Sequence, residues 1–191
     1  MGGDLKIIGR WAGVAALAAW LAGCTTATEV PTQPSFYRSM AAADAQLDAA
    51  AAASMISGYR GNNGLGAVTL DATLMRLAQE QSQAMAKRNM FDHAAAGVFN
   101  KRLARAGLDP TMAVENIGAG YHTLAEAFSG WRDSPPHRAN MLKREATRMG
   151  IAAVYSPESK YKVFWTLIMA GPEDAQPAAR ADVTRSPAAS R

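Results

Sequence analysis

Apolar residues recur along this chain with two periods, and the switch between them marks its elements. Over residues 44–59, Leu47, Ala51, Met55 and Tyr59 fall on one helical stripe, with Gly58 and Gly61 to end it. Asp71 has a side chain suited to capping a helix. Leu74, Leu77, Ala78, Gln81 and Met85 then keep helical spacing to about Asn89. Residues 98–106 predict a third, short helix stopped by Gly107. Thr123 and Glu126 are spaced as a capping box, and Leu124, Ala127, Phe128 and Trp131 make the apolar face behind it. Ser134 followed by Pro135 predicts one more helix start, because proline sits where the backbone donor would lack a partner anyway. Residues 149–155 and 162–169 change to β-rich runs, and the polar residues 158–160 between them predict a hairpin. Residues 112–118 are a candidate third strand. Helices before and between antiparallel strands predict an α+β layered domain.

The chain has 191 residues, of which 49% are apolar and 19% charged, an ordinary composition for one globular domain with tails. Its first 24 residues have a different character. Lys6 and Arg10 give a basic start, residues 11–21 are uncharged and apolar, and Leu21, Ala22 and Gly23 lead directly to Cys24, the one cysteine. An apolar core this short suits an export signal better than a membrane span. Leu-Ala-Gly-Cys resembles the lipobox of bacterial lipoproteins, which implies cleavage before Cys24 and lipid on its sulfur. On that resemblance residues 1–23 are a signal peptide and residues 24–36 a lipidated tether rich in Thr and Pro. The protein is then exported, periplasm-facing and membrane-held, and Thr25 after the cysteine implies the outer membrane. Acyl chains contribute about 0.8 kcal/mol per buried methylene, so several on one residue hold firmly.

With Cys24 committed to lipid, no disulfide is available and the core alone must stabilise the fold. Residues 35–171 are enough for that. Residues 172–191, mostly Ala, Pro, Arg and Ser, predict a disordered tail. The net charge of +4 is scattered, without a Lys/Arg run interleaved with aromatics, so a nucleic-acid partner is not expected.

Three histidines carry the candidate chemistry. His93 follows Phe91 and Asp92 just after the long helical run. His122, one residue before a helix cap, reads as a solvated loop residue. His137 follows Pro135 and Pro136, whose fixed φ delivers it with little freedom. Glu115 stands in an apolar setting where a carboxylate is costly unless paired. It is either an outward-facing strand residue or a carboxylate at the rim of a cleft. If His93, Glu115 and His137 converge, the set suits a divalent metal such as zinc, held by His93 and His137, or acid–base catalysis by all three. No short metal spacing of the H-E-x-x-H kind decides between them.

Phe91 and His93, then Phe99 to Arg102, Gly107, the run Glu115-Asn116-Ile117-Gly118, Ala127 and Trp131 appear in order. They continue with residues 134–142, Gly150 and Phe164-Trp165-Thr166. This order resembles the CAP superfamily of cysteine-rich secretory proteins, antigen 5 and plant pathogenesis-related proteins, in its bacterial SCP-like branch. The resemblance covers residues 45–171 and places the domain at 37–171. It implies a three-layer α-β-α sandwich with a central antiparallel sheet, and an open cleft lined by two histidines and two acids. His93, Glu115 and His137 match three of those positions. Ser134 stands at the second acid, making the ligand-binding set His93, Glu115, Ser134 and His137. Asp133 and Glu126 are nearby carboxylates that do not match the motif, Val114 replaces a frequent glycine, and the eukaryotic disulfides are absent. Ser134 is expected to be occupied in helix capping, and Arg138 and Asn140 to hydrogen-bond nearby loops.

Three functions follow as alternatives, because this fold hosts many. One is a lipid-anchored binding module whose cleft holds a lipid, glycan or protein ligand of the envelope. Another is a metal-dependent or His/Glu hydrolase with Glu115 as base. The last is a non-catalytic structural protein of the envelope.

Overall fold

A computed structural model describes residues 33–172. The expected signal peptide, Cys24, most of the tether and all but the first residue of the expected tail lie outside the described residues. Five helices and four strands follow in the order α1 (Ala49–Gly61), β1 (Thr69–Leu70), α2 (Ala72–Arg88), α3 (Phe99–Arg105), β2 (Ala113–Ala119), α4 (Leu124–Asp133), α5 (Pro135–Met141), β3 (Arg148–Tyr155) and β4 (Val163–Ala170).

Local chemistry sets most of these boundaries. Asp71 Oδ1 accepts the Leu74 amide at 2.9 Å and starts α2, which Asn89 ends in the left-handed conformation. Thr123 and Glu126 close the expected capping box on α4. The first helix begins later than its apolar stripe predicts: Asp48 Oδ1 captures the Ala51 amide at 2.9 Å, so α1 starts at Ala49 rather than near residue 44.

The sheet order is β1-β3-β4-β2. The three long strands are antiparallel, as expected, with β3 and β4 forming the hairpin. The two-residue β1 adds a parallel edge beside Arg148 and Met149. So short a strand leaves no periodicity to read in advance. Every residue of β4 is buried, which fits its interior place in the sheet.

Alternation along β4 divides the core into two faces. Val163, Trp165, Leu167 and Met169 join Ile56, Leu124, Trp131 and Met141 of the α1/α4/α5 layer. Ile168 and Ala170 face Leu74, Leu77 and Leu103 of the α2/α3 layer. Ser82 of α2 bonds the Thr166 hydroxyl at 2.8 Å on that same face. Gly150 lets α2 lie directly on β3, since a Cβ there would collide with the backbone of Leu74 and Met75. Helices therefore cover both faces of the sheet, and β2 is left at an open edge between the two layers. Among the described residues, no helix is long and apolar enough to cross a membrane.

Candidate functional site

The site is built around the free edge of β2. Its strand alternation turns Glu115 toward α3 and Asn116 toward α5, so each layer supplies one half of the site. Glu115 is not the outward-facing residue that its irregular neighbourhood allowed. Its side chain is 2% exposed and held by charge: Oε2 accepts from Arg102 Nη2 at 2.6 Å and Oε1 meets His93 Nδ1 at 2.9 Å. Pairing at both oxygens offsets the cost of burying the carboxylate.

The loop carrying His93 is fixed from beneath. The amide of Gln81, buried in α2, donates to the Asp92 carbonyl at 2.8 Å and accepts the Ala96 amide at 3.1 Å. Arg102 Nε donates to the Gly97 carbonyl at 2.9 Å. His93 itself stays 55% exposed in its side chain, so its ring is anchored at Nδ1 and presents Nε2 outward.

On the other side, α5 is tied to the same strand. Asn116 Nδ2 donates to the His137 carbonyl at 2.9 Å, and Asn140 Nδ2 donates to Asn116 Oδ1 at 2.8 Å and to the Glu115 carbonyl at 3.2 Å. Trp131 Nε1 covers the next edge carbonyl, that of Ile117, at 3.0 Å. These bonds also shield the strand from edge-to-edge pairing. Asn140 thus bonds strand β2 rather than a nearby loop, and Arg138 reaches only the Arg132 carbonyl of α4, at 3.5 Å.

Ser134 corrects one expectation. It is the N-cap residue of α5, yet its side chain caps no backbone amide. Pro135 and Pro136 have no N–H to give, which leaves only the His137 amide at N3 for a cap, and the hydroxyl does not take it. The hydroxyl instead meets His137 Nδ1 at 2.9 Å. The four matched residues therefore form two bonded pairs, His93 with Glu115 and Ser134 with His137.

Neither nearby carboxylate fills the fourth corner. Asp133 is engaged by exposed Arg132 at 2.8 Å, and Glu126 by the His122 and Thr123 amides. His122 is exposed, in keeping with a solvated loop.

The two imidazoles are pushed in opposite directions. The hydrogen bond that His93 donates to Glu115 raises the His93 pKa above the ordinary histidine value, against partial burial. Burial lowers that of His137, and the positive charge of His93 adds to the fall. A pH window follows in which His93 is a cationic donor while His137 is neutral. Beside His137 runs a groove of about 330 Å³ lined by Phe91, Tyr121, Trp131, Ser134 and His137. Tyr121 packs into space left open by Gly118 and Gly130, so its ring is fixed as one wall.

Sequence reasoning assigned no site role to Arg102, Gln81 or Asn116. Gln81 has a legible signal in hindsight, a polar residue on the apolar stripe of α2. Arg102 has none of that kind, because its partner Glu115 lies on another element.

Residues 53–169 match the model of the CAP family, described as the cysteine-rich secretory protein family. The uncharacterized protein YkwD of Bacillus subtilis is 33% identical over 99 residues, covering 51% of this chain and 38% of that protein. The chain thus spans well under half the length of this curated relative. Among solved structures, an extracellular SCP-domain protein of Bacillus anthracis superposes with a TM-score of 0.55 at 25% identity, over 64% of this chain and 39% of that one. An outer surface protein of Borrelia burgdorferi superposes with a TM-score of 0.57 at 17% identity, over 65% of this chain and 92% of that one. With the family model covering more than half of its length, and the three-layer fold described above, the chain belongs to the CAP family of cysteine-rich secretory proteins.

Proposed function

We propose that this CAP-domain protein is a lipid-anchored, extracytoplasmic binding protein whose cleft holds a ligand of the cell envelope. The observation that carries this reading is the state of the polar groups: those with catalytic potential are spent on one another. Both oxygens of Glu115 are bonded, so the carboxylate positions His93 and is poorly placed to take a proton from water. What remains open is an aromatic-walled groove with an imidazole edge at His137, and outside its lining a second, oppositely tuned imidazole at His93 whose charge is felt at His137. Such a surface suits a ligand with an apolar or ring face and hydrogen-bonding groups, as glycans, lipid headgroups and peptides all have. Export rests on the lipobox ending at Cys24 and is supported by relatives described as extracellular or outer-surface proteins.

A divalent ion such as zinc would take His93 and His137 through Nε2, with Glu115 orienting the first ring. Catalytic zinc has three protein ligands, and no group of three His, Cys, Asp or Glu lies in ligating reach among the described residues. The donors fit at most two-point attachment, and no chemical step is derived through a metal. A second reading, hydrolysis, draws on Ser134 Oγ lying 2.9 Å from His137 Nδ1, a nucleophile–base contact.

Native mass spectrometry of the full chain, after incubation with envelope lipids and wall fragments, separates these readings. A retained mass that His93→Ala/His137→Ala loses, with Ser134→Ala unaffected, supports binding. Equal retention by the double variant contradicts it. Turnover of a wall fragment that Ser134→Ala abolishes favours hydrolysis. Cys24→Ser should move the protein from membrane to soluble fractions.

A further inference from the structure

A second cavity lies in the α2/α3 layer, separate in its lining from the groove beside His137. It has a volume of about 270 Å³ and is walled by Arg76 and Glu80 of α2, Arg102 and Arg105 of α3, and Ala96 of the loop between them. One polar atom among these wall residues is unexplained by the fold. Arg102 Nη1 is buried and has no hydrogen-bond partner, although Nε and Nη2 of the same guanidinium are both engaged. A buried donor left unmet costs about 1–3 kcal/mol, and more when charged.

The charge around the cavity has one sign left over. Arg76 pairs with Glu80 at 2.7 Å, and Arg102 with Glu115 at 2.6 Å. Arg105 makes its hydrogen bond to a backbone carbonyl, that of Lys101 at 3.2 Å, and its guanidinium reaches back over Gly97. Its charge therefore stays without a carboxylate partner among the described residues. Gly97 has a φ of 102°, which glycine adopts without strain, and the Arg105 guanidinium lies close beside it.

We infer that this cavity is a binding site for a small oxyanion group, a phosphate or a carboxylate, received between Arg102 and Arg105. Planar guanidinium groups suit oxyanions, and a charge-assisted bond would satisfy the orphaned nitrogen. Glu80 is the opposing group. Its carboxylate lines the cavity, so the anion must sit toward Arg105 and Arg102, away from the Arg76–Glu80 pair. Nothing in this inference depends on the ligand of the groove. Arg102 links the two places, since the same guanidinium that would hold the anion also holds Glu115.

The test is a titration of the full chain with inorganic phosphate, and separately with acetate, against sodium chloride at constant ionic strength. Arginine Nε–Hε resonances are followed by NMR, because Arg102 and Arg105 both hydrogen-bond through Nε. The expected result is a saturable shift at both arginines. Arg105→Gln should weaken it about tenfold, as expected for loss of one charged hydrogen bond. Glu80→Gln, a surface change that leaves Arg102 and Glu115 alone, should tighten it about threefold. Saturation by phosphate alone assigns a phosphate group, and saturation by acetate assigns a carboxylate. Shifts that never saturate, or that match in parent and Arg105→Gln, overturn the site.

Discussion

Arg60 and Arg102 are both buried, at 0% and 3% exposure, but their charges are accommodated in different ways. Arg60, on α1, meets no carboxylate among the described residues. It donates to four carbonyls, those of Gly66, Met141, Lys143 and Ala146, at 2.8–3.0 Å. It gathers the end of α5 and the turn into β3, and burial alone pulls its pKa below the ordinary arginine value. Arg102 is joined to a buried carboxylate that in turn holds a half-exposed histidine, and one of its nitrogens is left without a partner. A fully satisfied cation fixes chain to chain. A partly satisfied one beside a cavity and a cleft is where a fold can respond to what binds.

Substitutions break the comparison in order of effect. Arg60→Met strips four carbonyls of their donor and should cost on the order of 4 kcal/mol in urea unfolding, with no direct effect on His93. Glu115→Gln strands the Arg102 charge and should cost about 3 kcal/mol, while lowering the His93 pKa toward the ordinary value. The double variant Glu115→Leu/Arg102→Met should be more stable than Glu115→Gln alone, since a buried pair replaced whole leaves no orphan charge. A double variant as unstable as the single one would mean packing, not charge, dominates there. Asn140→Ala frees the Glu115 carbonyl and Asn116 Oδ1 and should cost about 1.5 kcal/mol, and it should loosen ligand binding beside His137.

The smallest effect is in pH dependence. His93 has a raised folded-state pKa, so its stabilisation is fully present below the unfolded value of about 6.5 and is lost as pH rises through the folded value. His137 has a depressed folded-state pKa, so its neutral burial costs stability as pH falls from about 6.5 toward the folded value. Melting curves at pH 7.5 and 5.5 should therefore diverge from the parent in opposite senses. His93→Gln should lose more stability on acidification than the parent, and His137→Gln less.

Much of the fold was legible because its signals are local. The Asp71 cap, the Thr123–Glu126 box and the β3/β4 hairpin each lie within a few residues of their partners. The family resemblance then supplied the layer order. The short β1 and the late start of α1 were not legible, since two residues have no period and Asp48 competes with an apolar stripe that runs past it. At the site, sequence order named His93, Glu115, Ser134 and His137, but not how they pair. Glu115 meets Arg102 across 13 positions of sequence and Asn116 meets His137 across 21, distances at which no periodicity speaks. Ser134 reads as a cap from its place before Pro135, which does not reveal that its hydroxyl turns to the His137 ring instead.

The central claim is that Glu115, held by Arg102, raises His93 while burial lowers His137, leaving two unequal imidazoles. Histidine side-chain NMR across a pH titration of the full chain tests it most directly. The account predicts that His93 titrates above the ordinary histidine value and His137 below it, and that Glu115→Gln lowers His93 while leaving His137 below. Both rings titrating together near the ordinary value, or in the reverse order, would contradict it.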